Sequence, residues 1–434
     1  MRKYALSLVV CGTCLSGWAQ QDSSRLDAGY VTLDRRSTQH LTISGADLEK
    51  MPFSNLSDAI AVWLYGAYIQ PTTLMYIVDG FPVGDVNAYP IHDIESVTLV
   101  QDASALVATG GTQQQVVLVR TKQEKGAKGM KVAVQPGLVN GNGNGPPAGA
   151  GLFQHYYASA FLNQTRMNYR VSADYLRDGW LMRWRLNGWY SWRPDAANKI
   201  EVQVNYTPQR LDWSWAALDS GMVAEAREGA HQRYFLPRAS WHFDAGKGLR
   251  NDFQAAYLNS KYDEDDVMAA IPGTLSSQLE TIQYAGTVNS YHLLVRDHLE
   301  YEAVVGGWGV EPALDVRYEH YNEQVFRFTA YGTNYFYNVI ESDGGQTLKG
   351  DAVFAAPAVD LRYREVLDLQ GGALVNAGHL TNDSVKQRVF PFVRLAVDLL
   401  RASGRSGGAS LKLFGSWAER TSITPASYTL ADVD

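Results

Sequence analysis

A chain of 434 residues has room for more than one folded unit, and its formal net charge of -7 offers no basic footprint for nucleic acid. Aromatic residues make up 12% of it, with 25 Tyr and 11 Trp, yet no stretch after residue 19 approaches the roughly 18 apolar residues of a membrane helix. That pairing points away from helical membrane proteins and towards strands whose rings sit between apolar and wet surroundings.

The N-terminus reads Met1-Arg2-Lys3, then an apolar run from Tyr4 to Val10, then Gly17-Trp18-Ala19 ahead of Gln20. Small residues three and one before that junction predict a secretory signal peptide over residues 1–19. A buried helix or membrane anchor is the alternative, but the run is too short to span a bilayer. Lipoprotein processing is disfavoured because Val10 and Thr13 precede the two cysteines. Cys11 and Cys14 both fall in the signal, so the mature chain is expected to hold together without disulfides or metal–thiolate bonds.

Residues 20–40 read as an N-terminal segment, and residues 41–123 as a small α+β unit. Ser44 to Leu64 has helical character, with Ser54 as N-cap and Leu56, Ile60, Trp63 and Leu64 at helical spacing. Asp79-Gly80 between Met75–Val78 and Phe81–Val83 is a strong hairpin signal. Ile94–Val100 and Val116–Arg120 are two further β-rich runs, with a helical turn expected at Asp102–Leu106.

From residue 124 the period changes to two. Tyr169, Val171, Ala173 and Tyr175 alternate with Arg170, Ser172 and Asp174; Met182, Trp184, Leu186 and Tyr190 alternate with Arg183, Arg185, Asn187 and Ser191. Ile200, Val202, Val204 and Tyr206 do so with Glu201, Gln203, Asn205 and Thr207, and similar alternation recurs as far as Leu411–Trp417. Arg177–Gly179 and Arg193–Asn198 read as tight connections, and Ala216–Gln232 and Lys261–Ser277 as long loops. Short turns on one rim and long loops on the other predict a transmembrane antiparallel β-barrel over residues 124–434. A soluble sandwich or propeller would favour Val, Ile and Leu over so many Tyr and Trp.

No His-Glu-x-x-His, Gly-x-Ser-x-Gly or other catalytic constellation stands out, so neither an enzyme nor a metal or cofactor is predicted. Asp263-Glu264-Asp265-Asp266 lacks the spacing of a calcium loop and reads as a solvated acidic tip.

Residues Leu74 to Lys122, LMYIVDGFPVGDVNAYPIHDIESVTLVQDASALVATGGTQQQVVLVRTK, resemble the plug of TonB-dependent outer-membrane receptors of the SusC/RagA type. Asp47–Pro52 and Asn55–Ile60 look like the plug's first helix, Asp79-Gly80 like its hairpin, Asp93-Ile94-Glu95-Ser96 and Asp102-Ala103-Ser104-Ala105 like its central run, and Val117–Lys122 like its last strand. YRVSADYLRDGW, from Tyr169, is similar to the start of the family's barrel. The resemblance implies a nutrient importer of the cell outer membrane, embedded in its lipids. It would take up an oligosaccharide or oligopeptide ligand delivered by a SusD-like surface lipoprotein, and be driven by TonB with its ExbB/ExbD motor.

Under that resemblance the plug fingerprint comprises Asp79, Gly80, Glu95, Asp102, Ala103 and Ser104. The TonB-coupling candidate is Gly29, Tyr30, Val31, Thr32 and Leu33, a β-prone segment suited to strand addition on a partner. Only Gln70–Thr73 stand where the family inserts a longer segment, and Thr109–Gln115 lack its aromatic and Arg, so the plug is trimmed. Roughly 12 to 15 strands are legible where a plugged transporter has about 22, so the barrel is expected to be incomplete in this chain. The rival reading is a non-transporting surface or adhesion protein with a vestigial plug.

Overall fold

The computed structural model describes residues 7–9, 25–29, 31–66, 74–101, 115–123, 128–139, 151–178, 181–219, 222–246, 248–272, 280–333, 336–341, 346–364, 366–376, 389–403 and 411–419. Two sheets dominate, a small mixed one and a large antiparallel one that curves around it.

Strand β1 (Ser7–Val9) belongs to the large sheet, while β2 (Arg25–Asp27) and β3 (Thr32–Asp34) form a separate hairpin. The small sheet contains β4 (His40–Ser44), β5 (Leu74–Val78), β6 (Phe81–Val83), β7 (Ile94–Val100) and β8 (Gln115–Thr121), in the order β4-β7-β8-β5-β6. The β5–β6 connection is the expected hairpin. Asp79 and Gly80 both have positive φ, 47° and 81°, as a two-residue primed turn demands. The β5–β8 pair is parallel, which the local sequence did not disclose.

The helical stretch divides in two. Helix α1 (Gly45–Leu48) is capped by Ser44, whose side chain accepts from the Asp47 amide, and α2 (Leu56–Gly66) follows after Pro52. Leu56, Ala59, Ile60 and Leu64 form the buried stripe of α2 at i, i+3, i+4 and i+8. Ser54 is not seen capping it: the Asn87 side chain, distant in sequence, accepts from the Ser57 amide at 2.9 Å. These helices and the β5–β8 strands share one apolar core with Val97, Leu99, Val117 and Val119.

The large sheet runs through β9 (Lys128–Val139), β10 (Gly151–Asn163), β11 (Met167–Asp178), β12 (Leu181–Trp192), β13 (Asn198–Asp219), β14 (Met222–Asp244), β15 (Leu249–Pro272) and β16 (Glu280–Tyr301). It continues through β17 (Ala303–Val305), β18 (Trp308–Thr333), β19 (Phe336–Glu341), β20 (Gln346–Tyr363), β21 (Leu367–Asn376), β22 (Val389–Asp398), the short helix α3 (Leu399–Ala402) and β23 (Lys412–Ala418). Sequential neighbours pair antiparallel, with β17 and β19 as short partners of β18. Among the described residues no ladder joins β9 to β23 or β1, so this 16-stranded sheet has two edges. Ser7–Val9, inside the predicted signal peptide, lies antiparallel along β23 and covers one of them.

Burial is inverted relative to a soluble protein. Tyr169, Val171, Trp184, Leu186, Tyr190, Val202 and Val204 are exposed on the outer face, whereas Arg170, Ser172, Asp174, Arg183, Arg185, Asn205 and Thr207 are buried inside. An outward apolar band around a polar lumen is the surface that hydrocarbon demands of a barrel.

Two expectations about the connections are corrected. Ala216–Asp219, Met222–Gln232 and Lys261–Pro272 are strand, since β13 to β18 are mainly 22 to 26 residues long. Crossing needs only about 9–11 residues, so these hairpins stand far above the bilayer. There no lipid-facing apolar alternation is required, and the polar composition reads as loop. Arg177 and Asp178, at the end of β11, also lie on the rim opposite Arg193–Asn198, because only β12 separates the two connections.

Candidate functional site

The small sheet and its N-terminal hairpin touch the wall through four sets of polar contacts, some to carbonyls left free at turns and others to buried carboxylates and guanidinium groups. The 3-10 turns Val86–Ala88 and Ile91–Asp93 direct carbonyls outward. Asn87 O accepts from Arg185 at 3.2 Å, and Ala88 O accepts from Asn205 at 3.2 Å and Thr207 at 3.1 Å. Asp174 fixes Arg185 from its other side, accepting from its Nε at 2.6 Å and lying 2.6 Å from His155 Nε2.

Asp93 is the second seat. Its Oδ1 accepts from Tyr157 Oη at 2.6 Å and Arg170 Nη2 at 2.7 Å, and its Oδ2 from Ser172 Oγ at 2.6 Å and Asn187 Nδ2 at 2.7 Å. One buried carboxylate thus gathers β10, β11 and β12. Beside it, Glu49 binds both Lys122 and Lys131. Burial pushes the Glu49 carboxyl up, but hydrogen bonds from the two lysines outweigh it and leave its pKa lowered. His92, 4.7 Å from the Tyr157 ring, has its pKa lowered by burial and then by Lys131.

The third seat is the Asp79-Gly80 turn. Asp79 accepts from the Thr121 amide at 2.9 Å, the Thr121 hydroxyl at 2.7 Å and Arg238 at 3.0 Å, while Arg238 also donates to Val78 O at 2.7 Å. A Cβ on Gly80 would lie 2.2 Å from Asp27 Oδ2, so the glycine gives the N-terminal hairpin its place. A cavity of about 260 Å³ opens between this turn, the hairpin and the wall, with Trp189, Arg238 and His242 in its lining.

The hairpin is the fourth seat. Arg25 lies between Glu300 and Glu311, Asp27 meets Arg296, the Thr32 amide donates to Asp315 at 3.0 Å, and Arg362 reaches Asp34 at 3.1 Å. Burial opposes the Arg25 charge, but the two carboxylates more than offset it and raise its pKa. Leu26, Ala28, Val31 and Leu33 pack in a cluster with Met75, Ile77 and Leu118 of the small sheet and Phe354, Phe390 and Phe392 of the wall.

The sequence-derived residues fall into three groups. Asp79 and Gly80 sit at the third seat, and Glu95 pairs with Arg120 at 3.1 Å across β7 and β8. Asp102, Ala103 and Ser104 lie outside the described residues, as does Tyr30. Gly29, Val31, Thr32 and Leu33 are in the hairpin, where Val31 and Leu33 are fully buried, rather than in a free extended segment. Among the wall's contributions, Arg170, Ser172, Arg185, Asn187, Asn205 and Thr207 stand on the polar face that the alternation marks, whereas those of the fourth seat were not singled out. Their signal was present, since Arg296, His298 and Glu300, and then Asp315, Arg317 and Glu319, place charge at every second position of one face. Asp263 pairs with Lys261 at 2.7 Å on β15, and among the described residues no group of three His, Cys, Asp or Glu is placed to hold a metal ion.

No protein-family model matches the chain, and no curated protein matches it. Solved structures do. The RagAB peptide transporter aligns with a TM-score of 0.65 at 12% identity, covering 88% of this chain and 60% of that one. The siderophore receptor PiuA from Acinetobacter baumannii gives 0.59 at 10%, covering 88% and 65%. The ferripyoverdine receptor of the outer membrane of Pseudomonas aeruginosa gives 0.59 at 12%, covering 92% and 61%. The chain has the fold of a TonB-dependent receptor. In that fold its small sheet corresponds to the plug and its large sheet to the barrel wall, and the chain spans about three-fifths of the length of the receptors it matches.

Proposed function

We propose that the chain is the plug-bearing part of an outer-membrane nutrient importer driven by TonB and its ExbB/ExbD motor. The observation that carries this reading is the filled lumen. The plug and hairpin occupy the inside of the wall, so passage requires something to move, while the hairpin alone lacks a core of its own. Residues 1–19 act as signal, 20–40 as the coupling segment, 41–123 as plug and 124–434 as barrel wall. Cleavage before Gln20 removes Ser7–Val9 and bares the β23 edge.

Coupling runs through Gly29–Leu33. Strand addition needs free backbone edges, so TonB engages this segment only once the hairpin has opened, or draws it out from the residues ahead. Asp79 and Gly80 then act as the plug's side of the joint, with Glu95 bracing Arg120 within the plug sheet and Asp102, Ala103 and Ser104 as further candidates. RagAB is described as a peptide transporter, which favours an oligopeptide over an oligosaccharide as cargo, and we propose a SusD-like lipoprotein as the delivering partner. Uptake of labelled oligopeptides by cells carrying the full receptor tests this. Deleting Gly29–Leu33 is expected to abolish uptake while leaving the protein in the outer membrane, and wild-type uptake would overturn the coupling assignment.

The rival reading, a surface or adhesion protein, draws on the tall β13–β18 wall. Cell attachment that depends on those hairpins, together with no uptake of any oligomer, would favour it.

A further inference from the structure

The hairpin is a ten-residue guest in a slot that the rest of the molecule builds. One side of the slot is the plug sheet, with Met75, Ile77 and Leu118; the other is the wall, with Phe354, Phe390 and Phe392. Glu300 and Glu311 receive the guanidinium of Arg25, and Arg296 receives the carboxylate of Asp27. The wall's charges are also paired among themselves. Arg296 lies 2.7 Å from Asp315, His298 lies 2.9 Å from Asp315 and 3.1 Å from Glu300, and Arg362 lies 2.7 Å from Glu311. Each of these wall charges therefore has at least one partner within the wall besides the hairpin, which lowers the electrostatic cost of the hairpin's leaving.

An apolar slot with a two-carboxylate seat for a cation and a guanidinium for an anion is complementary to a peptide that carries both charges, and a peptide hairpin is what fills it here. We propose that the hairpin is a built-in peptide mimic, and that the vacated slot binds an oligopeptide in transit with a basic side chain between Glu300 and Glu311. The proposal rests on the import reading and sharpens its cargo, since a neutral oligosaccharide offers no cation to that seat. Tethering explains why the mimic wins at rest: the covalent link gives it a high effective concentration that free peptide must exceed.

The test uses the full chain in detergent micelles with Arg25→Ala and Asp27→Ala together, which loosen the hairpin and leave the wall unchanged. The probe is a fluorescent decapeptide of the sequence of residues 25–34, RLDAGYVTLD, alongside the same peptide with Gln in place of its Arg. The loosened variant is expected to bind the Arg peptide, to bind the Gln peptide about 30-fold more weakly, and to lose that difference once Glu300→Gln and Glu311→Gln are added. Native chain is expected to bind neither. Equal binding of the two peptides overturns the proposal. So does binding of neither peptide when a cysteine at position 31, introduced as Val31→Cys, reacts with maleimide and shows that the hairpin is out. Uptake in cells reports separately: import without slot binding sinks this inference alone, and slot binding without import sinks the import reading.

Discussion

The plug body and the N-terminal hairpin both lie inside the wall, yet they are held in different ways. The body supplies most of its own core, with Leu48, Leu56, Ile60, Leu64, Val97 and Val117, which continues into Tyr234, Leu236, Ala256, Leu258 and Leu294 of the wall, and Asp93 fastens it to β10–β12 with four hydrogen bonds. The hairpin has three residues per strand and no core of its own. It borrows apolar partners from the plug and the wall, and its charges go to β16, β18 and β20. A unit with its own core survives the loss of neighbours, whereas a guest does not. On the proposed import reading, the hairpin is the part that leaves while the body stays.

The largest expected effect comes from breaking the body's seat. Asp93→Ala leaves the Arg170 guanidinium buried without that acceptor and should cost about 3–5 kcal/mol of plug seating. Urea titration of plug release, followed by maleimide labelling of a cysteine placed by Val97→Cys, reads this out. The hairpin should be touched more lightly and more selectively. In Gly80→Ala the positive φ alone costs about 1–2 kcal/mol, and the new methyl displaces the Asp27 carboxylate. Trypsin is then expected to cleave at Arg25, Arg35 or Arg36 while the plug body stays protected. Loss of both together would erase the distinction.

The smallest effect is a dependence on pH. The folded pKa of His92 lies below its ordinary 6.5, so acidification protonates the unfolded chain first, and the stability this group contributes is present above that range and lost as pH falls. Glu49, depressed in the fold from 4.5, holds its contribution until lower pH still. Plug release should therefore need less urea at pH 5.5 than at pH 7.5, and His92→Gln should remove most of the difference. An unchanged difference in His92→Gln would assign the effect elsewhere.

Much of the wall was legible because its two faces meet opposite solvents. Val171 and Trp184 point to lipid, and Arg170 and Arg185 inward, as their alternation requires. The Asp79-Gly80 turn was legible because its positive φ angles restrict which residues can form it. Partners distant in sequence were not legible. Nothing near Asp93 indicates that Ser172 and Asn187 will donate to it, nothing near Leu56 shows that Asn87 will cap the helix, and the parallel β5–β8 pair joins strands that no turn connects. Strand length above the bilayer was hidden for a different reason. Once a strand leaves hydrocarbon, its outer face is free to be polar, and Lys261–Asp266 look like a loop while pairing as strand.

Paired cysteine labelling tests most directly whether the hairpin moves while the plug body stays in place. Val31 and Val97 are both fully buried at rest, one in the hairpin and one in the body. Val31→Cys and Val97→Cys chains are exposed to maleimide in cells with and without an energised inner membrane, in the presence of peptide. Labelling at position 31 that requires energy, with position 97 protected throughout, is the predicted result. Simultaneous labelling of both positions, or protection of both during active uptake, would contradict it.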